Sequence, residues 1–355
     1  MATLIGKVDN LESNPSVGQS KSWLEHLRSG GLVGLPTETV YGLGASLKST
    51  IGIQKIFQYK GRPQNNPLIL HVSSLNMALE YADLNVEDEA IFKTLAEHFW
   101  PGPLTIVVRS RDCVSGLITA GTGFVGLRMP RHPIALKLID QLGHPICAPS
   151  ANKSGHISPT TAMHVMNEFP DNEDIWVLDG GPCQKGIESS IVKIHNAQLD
   201  WLRPGSVLPS DLRSCLADCA VCSPLEPKEL LMNSKNPSSP GQLLKHYAPL
   251  KECYLLSKYQ DFPQWNHPLA QCALLDFNGI WKHSQNLWRV YYNLEGTAED
   301  FARRLYDVLR VLEWSDGVQS LMVVNPLDLE EKNALHFALY DRLFRACSGR
   351  LVSLS

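Results

Sequence analysis

Residues 32–61 read Leu32-Val33-Gly34-Leu35-Pro36-Thr37-Glu38-Thr39-Val40-Tyr41-Gly42-Leu43-Gly44-Ala45-Ser46-Leu47-Lys48-Ser49-Thr50-Ile51-Gly52-Ile53-Gln54-Lys55-Ile56-Phe57-Gln58-Tyr59-Lys60-Gly61. Leu32 to Leu35 is an apolar run ended by Pro36, the pattern of a buried strand. Thr37-Glu38-Thr39, with Gly42 and Gly44 behind it, is a polar turn. Ser49 can then cap a helix whose inner face is Ile53, Ile56 and Phe57. That spacing puts Lys60 in the last turn, with Gly61 as the stop.

The alternation continues on both sides. Upstream, Trp23, Leu24 and Leu27 form a short helical face stopped by Gly30-Gly31. Downstream, Leu68 to Val72 is a strand, Ile91 to Phe99 a helix and Leu104 to Val108 a strand, with Trp100-Pro101-Gly102-Pro103 as the turn. Phe124 to Met129 and Pro145 to Ala148 are short strands flanking a helix around Ile134 to Leu142. Ile175 to Leu178, Ser190 to Ile194 and Leu199 to Leu202 complete a strand-rich end. These elements predict an α/β fold with a mixed sheet rather than a regular βαβ series.

From about Pro204 to Pro249 the chain becomes rich in Pro, Ser and Cys, notably over Asn233 to Gly241, and reads as an interdomain linker. Beyond it come strands Cys272 to Phe277 and Trp288 to Tyr292. A helix follows with Phe301, Leu305, Val308, Leu309 and Leu312 on one face, capped by Thr297 and Asp300. Strand Leu321 to Val324 and a last helix to about Cys347, with Gly349 beyond, complete a small Rossmann-like α/β unit. No internal repeat relates the two halves. The resulting division is an N-terminal tail over 1–16, a first domain over 17–205, a linker over 206–249 and a second domain over 250–355.

Length and composition agree with two soluble globular domains: 355 residues, 44% hydrophobic and 19% charged. A formal net charge of -4 argues against a protein whose main task is coating nucleic acid, while leaving room for a local basic cleft. Residues Met1 to Lys7 lack the apolar stretch of a signal peptide, and no run of about 18 apolar residues occurs, which predicts a cytoplasmic protein. Nine cysteines without framework spacing fit a reducing compartment. Cys215, Cys219 and Cys222 cluster, but without the second pair or the histidines that a zinc site needs.

Two segments carry the chemistry: Lys60-Gly61-Arg62-Pro63, with Asn66 and His71 just downstream, and Pro149-Ser150-Ala151-Asn152. The first places a guanidinium and an ammonium at a helix end, where Arg can grip phosphate bidentately and Lys adds a point charge. The second is a tight polar turn after an apolar strand, offering a hydroxyl, an amide and backbone N–H groups to an anion. Together they read as a polyphosphate site. Gly121-x-Gly123-x-x-Gly126 matches a dinucleotide fingerprint only formally, because it precedes a strand. Asn152-Lys153-Ser154 is an incidental sequon. Walker loops, His-Glu-x-x-His and Gly-x-Ser-x-Gly are absent, which removes the usual support for P-loop and hydrolase readings.

Further motifs carry a family resemblance: Pro36 to Gly44, Lys60 to Pro63, Asn66-Pro67-Leu68, Trp100 to Thr105, Arg128-Met129-Pro130, Pro149 to Asn152, Ser158-Pro159-Thr160, Glu188-Ser189-Ser190 and Arg203-Pro204-Gly205. In this order and spacing the chain resembles the threonylcarbamoyl-AMP synthases, of YrdC-like fold. The second half, with Ser239 to Pro249 and Ala338 to Ala346, resembles the two-domain form with a C-terminal Rossmann-like domain. Phe124, Ser190 and Gln242-Leu243-Leu244 depart from the common pattern without removing any of Lys60, Arg62, Ser150 and Asn152.

The resemblance implies a nucleotidyltransferase that makes L-threonylcarbamoyladenylate from L-threonine, bicarbonate and ATP with release of pyrophosphate. A downstream tRNA threonylcarbamoyltransferase complex would then use the product. Lys60, Arg62, Ser150 and Asn152 would be catalytic and hold the triphosphate, with Asn66, Ser158, Arg203, His246 and Tyr247 as further ATP contacts. Thr39, His71, Arg128 and Ser189 would bind threonine, Arg128 taking its carboxylate. Mg²⁺ would arrive with ATP rather than on a dedicated carboxylate cluster. His246 and Tyr247 would belong to a lid segment that excludes water from a hydrolysable mixed anhydride. The alternative function for this fold is an RNA- or tRNA-binding module, which would be indifferent to threonine. Neither reading requires a membrane.

Overall fold

Ser49 and Gly61 bound the helix Thr50–Lys60 as their chemistry predicts. Ser49 Oγ accepts the Gly52 N–H at 3.1 Å, and Gly61 takes φ 59°, ψ 37° while its N–H returns to Phe57 and Gln58 carbonyls. Ile53, Ile56 and Phe57 are buried on one side; burial of each such side chain is worth roughly 1.5–3 kcal/mol. The computed structural model in which this helix lies describes residues 4–7, 22–216, 244–258, 262–265, 268–330 and 332–354. Asn233 to Gly241, Cys219 and Cys222, and all of the N-terminal stretch 1–16 except residues 4–7 lie outside the described residues.

Two compact units divide the chain. The first comprises 1–154, 159–184 and 188–242; the second comprises 155–158, 185–187 and 243–355. Among the described residues, the first unit carries a ten-stranded mixed sheet in the order Leu4–Lys7, Ile175–Asp179, Leu32–Leu35, Gly42–Ser46, Ile146–Cys147, Ile69–His71, Phe124–Arg128, Leu104–Arg109, Ser190–His195, Gln198–Arg203. Strand Leu4–Lys7, read from sequence as part of a tail, pairs in parallel with Ile175–Asp179.

Along strand Ile175–Asp179 alternate residues enter two different apolar clusters, so both faces of the sheet are covered there, whereas the edge strand Gln198–Arg203 exposes Gln198 and Asp200. Ile175 and Val177 join an apolar cluster with Ile53, Ile56, Phe57 and Phe92, whereas Trp176 and Leu178 join another with Trp23, Leu27, Leu138 and Ile139. Helices Thr50–Lys60 and Val86–Phe99 thus pack on one side, and Trp23–Arg28 and Pro133–Leu142 on the other. Most predicted strands are present within one or two residues. Gly42–Ser46, read as part of a turn, is a strand, and Pro209–Cys215, read as linker, is a helix.

Among the described residues, the second unit carries a five-stranded parallel sheet in the order Val290–Leu294, Cys272–Phe277, Ser320–Val324, Glu252–Leu256, Leu351–Val352. Helix Ala298–Glu313 starts at the predicted capping box, with Thr297 and Asp300 bonded reciprocally, and buries Phe301, Leu305, Val308, Leu309 and Leu312. Helix Ala334–Ala346 follows the central strand. Among the described residues no helix is long and apolar enough to cross a membrane.

Candidate active site

The end of helix Thr50–Lys60 delivers Lys60 into a polar turn rather than to solvent. Its Nζ donates to the carbonyl of Ser150 at 2.6 Å and to that of Asn152. Lys60 is 3% exposed, and among the described residues no carboxylate lies within ion-pair distance of it. Burial first, then the charge of Arg62, holds the Lys60 pKa well below that of an ordinary lysine, against a weaker opposing pull from Glu168. An ammonium buried in this way without an anion creates a demand for one.

Two residues on, Arg62 is fixed by the loop it begins. Its Nε donates to the Asn66 carbonyl at 3.1 Å, and Nη2 to Asn66 Oδ1 at 2.6 Å and the Pro67 carbonyl at 2.8 Å. Asn66 therefore positions Arg62. Asn152, 1% exposed, turns its Nδ2 to the Lys153 carbonyl at 2.8 Å, and Lys153 N–H is taken by Glu168 at 2.9 Å.

A second cluster forms where two parallel strands end side by side, with His71 and Arg128 as register partners. Arg128 donates from Nη2 to Glu38 Oε1 at 2.8 Å and to Thr39 Oγ1 at 2.9 Å, and from Nε to the Gly102 carbonyl at 3.3 Å. Glu38 Oε2 accepts the Arg131 N–H at 2.9 Å. Burial alone would raise the Glu38 carboxyl, but the charge and hydrogen bond of Arg128 outweigh it and hold the pKa below the ordinary value. Arg128 Nη1 has no partner among the described residues. Burial and then Arg128 push His71 down to about 3, so its ring is neutral at pH 7, and its buried Nδ1 has no hydrogen-bond partner among the described residues.

The loop Pro36–Tyr41 joins the two clusters. Glu38 and Thr39 meet Arg128, while Tyr41 N–H donates to the Pro159 carbonyl and Tyr41 O accepts the Ala151 N–H of the turn that holds Lys60. Glu38, although visible in the Pro36–Gly44 motif, was not predicted as a site residue; its role rests on a partner 90 positions away.

Ser189 and Arg203 form a third group. Ser189 Oγ lies 2.8 Å from Thr105 Oγ1 and accepts from Arg203 Nη2 at 3.2 Å, and Arg203 Nε donates to the Ser189 carbonyl at 3.1 Å. Gly205 permits this loop, because a Cβ there would sit 2.4 Å from Ser190 N and 2.7 Å from the Ser189 carbonyl carbon. Gly205→Ala is therefore expected to cost about 1–3 kcal/mol of stability through overpacking and to displace Arg203 from Ser189. Urea unfolding checks the first effect; a midpoint equal to wild type would show that the loop accommodates the methyl group.

Ser158, His246 and Tyr247 belong to the second unit. There Tyr247, at φ 59° and fully buried, stacks on Tyr306 at 5.8 Å and lies beneath the Arg342 guanidinium at 5.7 Å. His246 packs edge-on against Tyr247 at 4.1 Å, and its N–H donates to the Arg345 carbonyl at 3.4 Å. Among the described residues, no group of three or more His, Cys, Asp or Glu side chains could hold a metal ion.

A model of the Sua5/YciO/YrdC family, described as telomere recombination, matches residues 25–205. A model described as the C-terminal domain of threonylcarbamoyl-AMP synthase matches 207–348. A threonylcarbamoyl-AMP synthase of Bacillus subtilis is 40% identical over 359 residues, covering 97% of this chain and 96% of its own. One of Pyrococcus abyssi is 34% identical, covering 92% and 94%. The crystal structure of P. abyssi Sua5 complexed with L-threonine superposes with a TM-score of 0.78 at 32% identity, covering 94% of this chain and 95% of that one. A variant of the same protein with a histidine and a tyrosine changed to alanine gives 0.80 at 28% identity, covering 99% and 98%.

Proposed function

This chain belongs to the Sua5/YciO/YrdC family in its threonylcarbamoyl-AMP synthase form, and from that premise we propose that it joins L-threonine, bicarbonate and ATP into L-threonylcarbamoyladenylate, releasing pyrophosphate. The observation that carries the reading is the 40% identity to a curated synthase over 97% of the chain. The chemistry then needs positioning and charge neutralisation more than a nucleophilic side chain. Threonine's amine adds to bicarbonate to give a carbamate and water. A carbamate oxygen attacks the α-phosphorus, a new P–O bond forms, and the bond to the bridging oxygen breaks as pyrophosphate leaves. Such a reaction is that of a nucleotidyltransferase.

Lys60 uses two of its three N–H groups on carbonyls and has the third for a phosphate oxygen. Arg62, held by Asn66, adds a second cation to the same triphosphate, and the Ser150–Asn152 turn and Arg203 supply further donors. Arg128 is oriented by Glu38 and Thr39 so that Nη1 is open to the threonine carboxylate, and His71, neutral, meets a threonine polar group through Nδ1. Ser189, held by Thr105 and Arg203, completes the proposed threonine set. Mg²⁺ enters as the counter-ion of ATP, ligated by phosphate and water. The product serves a tRNA-modifying partner that transfers the threonylcarbamoyl group.

Mass spectrometry of products from the intact protein with ATP, Mg²⁺, bicarbonate and labelled L-threonine, without tRNA, tests this directly. The expected product requires both threonine and bicarbonate. Product formation indifferent to threonine would overturn the reading in favour of a different acceptor, and no product from a folded ATP-binding chain would overturn it in favour of an RNA-binding module.

A further inference from the structure

The second unit has a cavity of its own, of about 820 Å³, lined by residues that follow the carboxyl ends of its parallel strands. Lys258 follows Glu252–Leu256, Asn278 follows Cys272–Phe277, Gly296 follows Val290–Leu294, and Asp328 follows Ser320–Val324. From Glu252–Leu256 the chain crosses to Cys272–Phe277, past the place filled by Ser320–Val324. From Ser320–Val324 it crosses the other way, past Glu252–Leu256, to Leu351–Val352. The two central neighbours thus send their connections in opposite directions, and open α/β sheets bind ligands in the crevice that such a reversal leaves. The volume lies inside the roughly 300–1,000 Å³ range of small-molecule sites.

The lining combines positive and negative groups. The helices Ala298–Glu313 and Ala334–Ala346 both begin on the cavity, at Thr297 and Asn333, each contributing about half a positive charge. Lys258 and Lys332 add two cations, against the carboxylates of Glu299, Asp328 and Glu330. Asp328, 3% exposed, is held in place: Oδ2 accepts the Lys258 N–H at 2.8 Å, Oδ1 the Ser257 hydroxyl at 3.4 Å, and its carbonyl the Lys258 Nζ at 3.0 Å. Asn278 clasps Gly296 from both sides, N–H to Oδ1 at 3.0 Å and Nδ2 to O at 3.2 Å.

His336 supplies an observation independent of the helix ends. It is 7% exposed and lines the cavity; Nδ1 lies 3.1 Å from the Asn333 backbone N and 3.0 Å from Asn333 Oδ1, while Nε2 has no hydrogen-bond partner among the described residues. Burial lowers its pKa, so the ring is neutral at pH 7. An imidazole edge without a protein partner beside a large cavity is available to a ligand.

We propose that this cavity binds a phosphorylated ribose compound of nucleoside-monophosphate size. The phosphate lies at the Lys332 and Asn333 helix start with the His336 edge. The sugar hydroxyls donate to Asp328 and Glu299, as carboxylates beyond parallel strands do for ribose, and the remaining ring packs on the apolar wall of Ile280 and Phe301. A near balance of charge favours such a ligand over a bare polyanion.

Calorimetric titration of the intact chain with AMP, ribose 5-phosphate and inorganic phosphate tests the assignment. Wild type is expected to take up two equivalents of AMP, and Lys60→Ala to retain one. Lys332→Glu, an exposed position, loses a charge-assisted bond worth about 1.5–3 kcal/mol and should weaken the second site by about tenfold or more, with synthesis at saturating substrates unchanged. In Lys60→Ala, AMP should also slow amide exchange over 296–301 and 332–336. Three results would overturn the site: no AMP uptake by Lys60→Ala, unchanged second-site affinity in Lys332→Glu, or inorganic phosphate binding as tightly as ribose 5-phosphate. Because these readouts are binding and exchange, they stand apart from the product assay that tests the catalytic reading.

Discussion

Lys60→Met is expected to lower kcat/KM for ATP by on the order of 10²- to 10³-fold, the loss seen when one preorganised donor to developing charge is removed. The methionine chain fills the same space without the ammonium. The buried lysine also leaves a signature in the protein without substrates. Its folded pKa is held well below 10.5 by burial and Arg62, so between the folded value and 10.5 the unfolded chain binds more protons than the folded one. Ligand-free stability should therefore rise with pH across that window, and ATP, by returning an anion to the ammonium, should stabilise most at the lower end. In Lys60→Met both dependences should disappear. Urea midpoints with and without ATP at several pH values, beside steady-state rates, check the two effects. Unchanged kcat/KM would remove Lys60 from the phosphate site, and a persisting pH slope would assign it to another group.

Local signals were legible wherever they act locally. Ser49 and Gly61 bounded a helix, and Thr297 and Asp300 began another, because a cap is decided within four residues. Gly42–Ser46 was not legible as a strand, since its glycines look like a turn. Packing explains them: a Cβ on Gly44 would sit 2.8 Å from an Ile146 methyl group, and one on Gly42 3.1 Å from Ala148 Cβ. The strand keeps its glycines so that Ile146–Cys147 can pair closely beside it. Helix Pro209–Cys215 was hidden by a composition that elsewhere marks linkers. The order of the second sheet, which creates the switch point, leaves no local trace in the sequence. In the site, the cations were visible as residue types, whereas the two carbonyls that hold Lys60 and the carboxylate that aims Arg128 belong to the tertiary structure.

That carboxylate makes Arg128 the position where structure and function can be separated by experiment. Arg128 and Glu38 are each 4% exposed and 2.8 Å apart, and removing one partner of a buried pair costs about 3–5 kcal/mol because the other charge is left uncompensated. Arg128→Met should thus be strongly destabilised, with Glu38 driven to take up a proton. The double variant Glu38→Gln/Arg128→Met should recover most of that loss, since glutamine retains an acceptor for the Arg131 N–H and neither side chain is charged. Threonine recognition should not recover with it. With no cation for the amino-acid carboxylate, KM for threonine should rise by about 10²-fold in both chains, as expected for a lost bond to a charged group of about 2–3 kcal/mol. The pH dependence carries the same sign. The folded Glu38 carboxyl lies below its ordinary 4.5, so its contribution is fully present above 4.5 and fades as pH falls through the folded value; Glu38→Gln should remove that acid-side loss. Threonine KM at the wild-type level in a refolded double variant would mean that Arg128 only braces the loop at Glu38 and Thr39. A double variant as unstable as Arg128→Met alone would mean that the cost lies in lost packing around the guanidinium, not in the orphaned carboxylate.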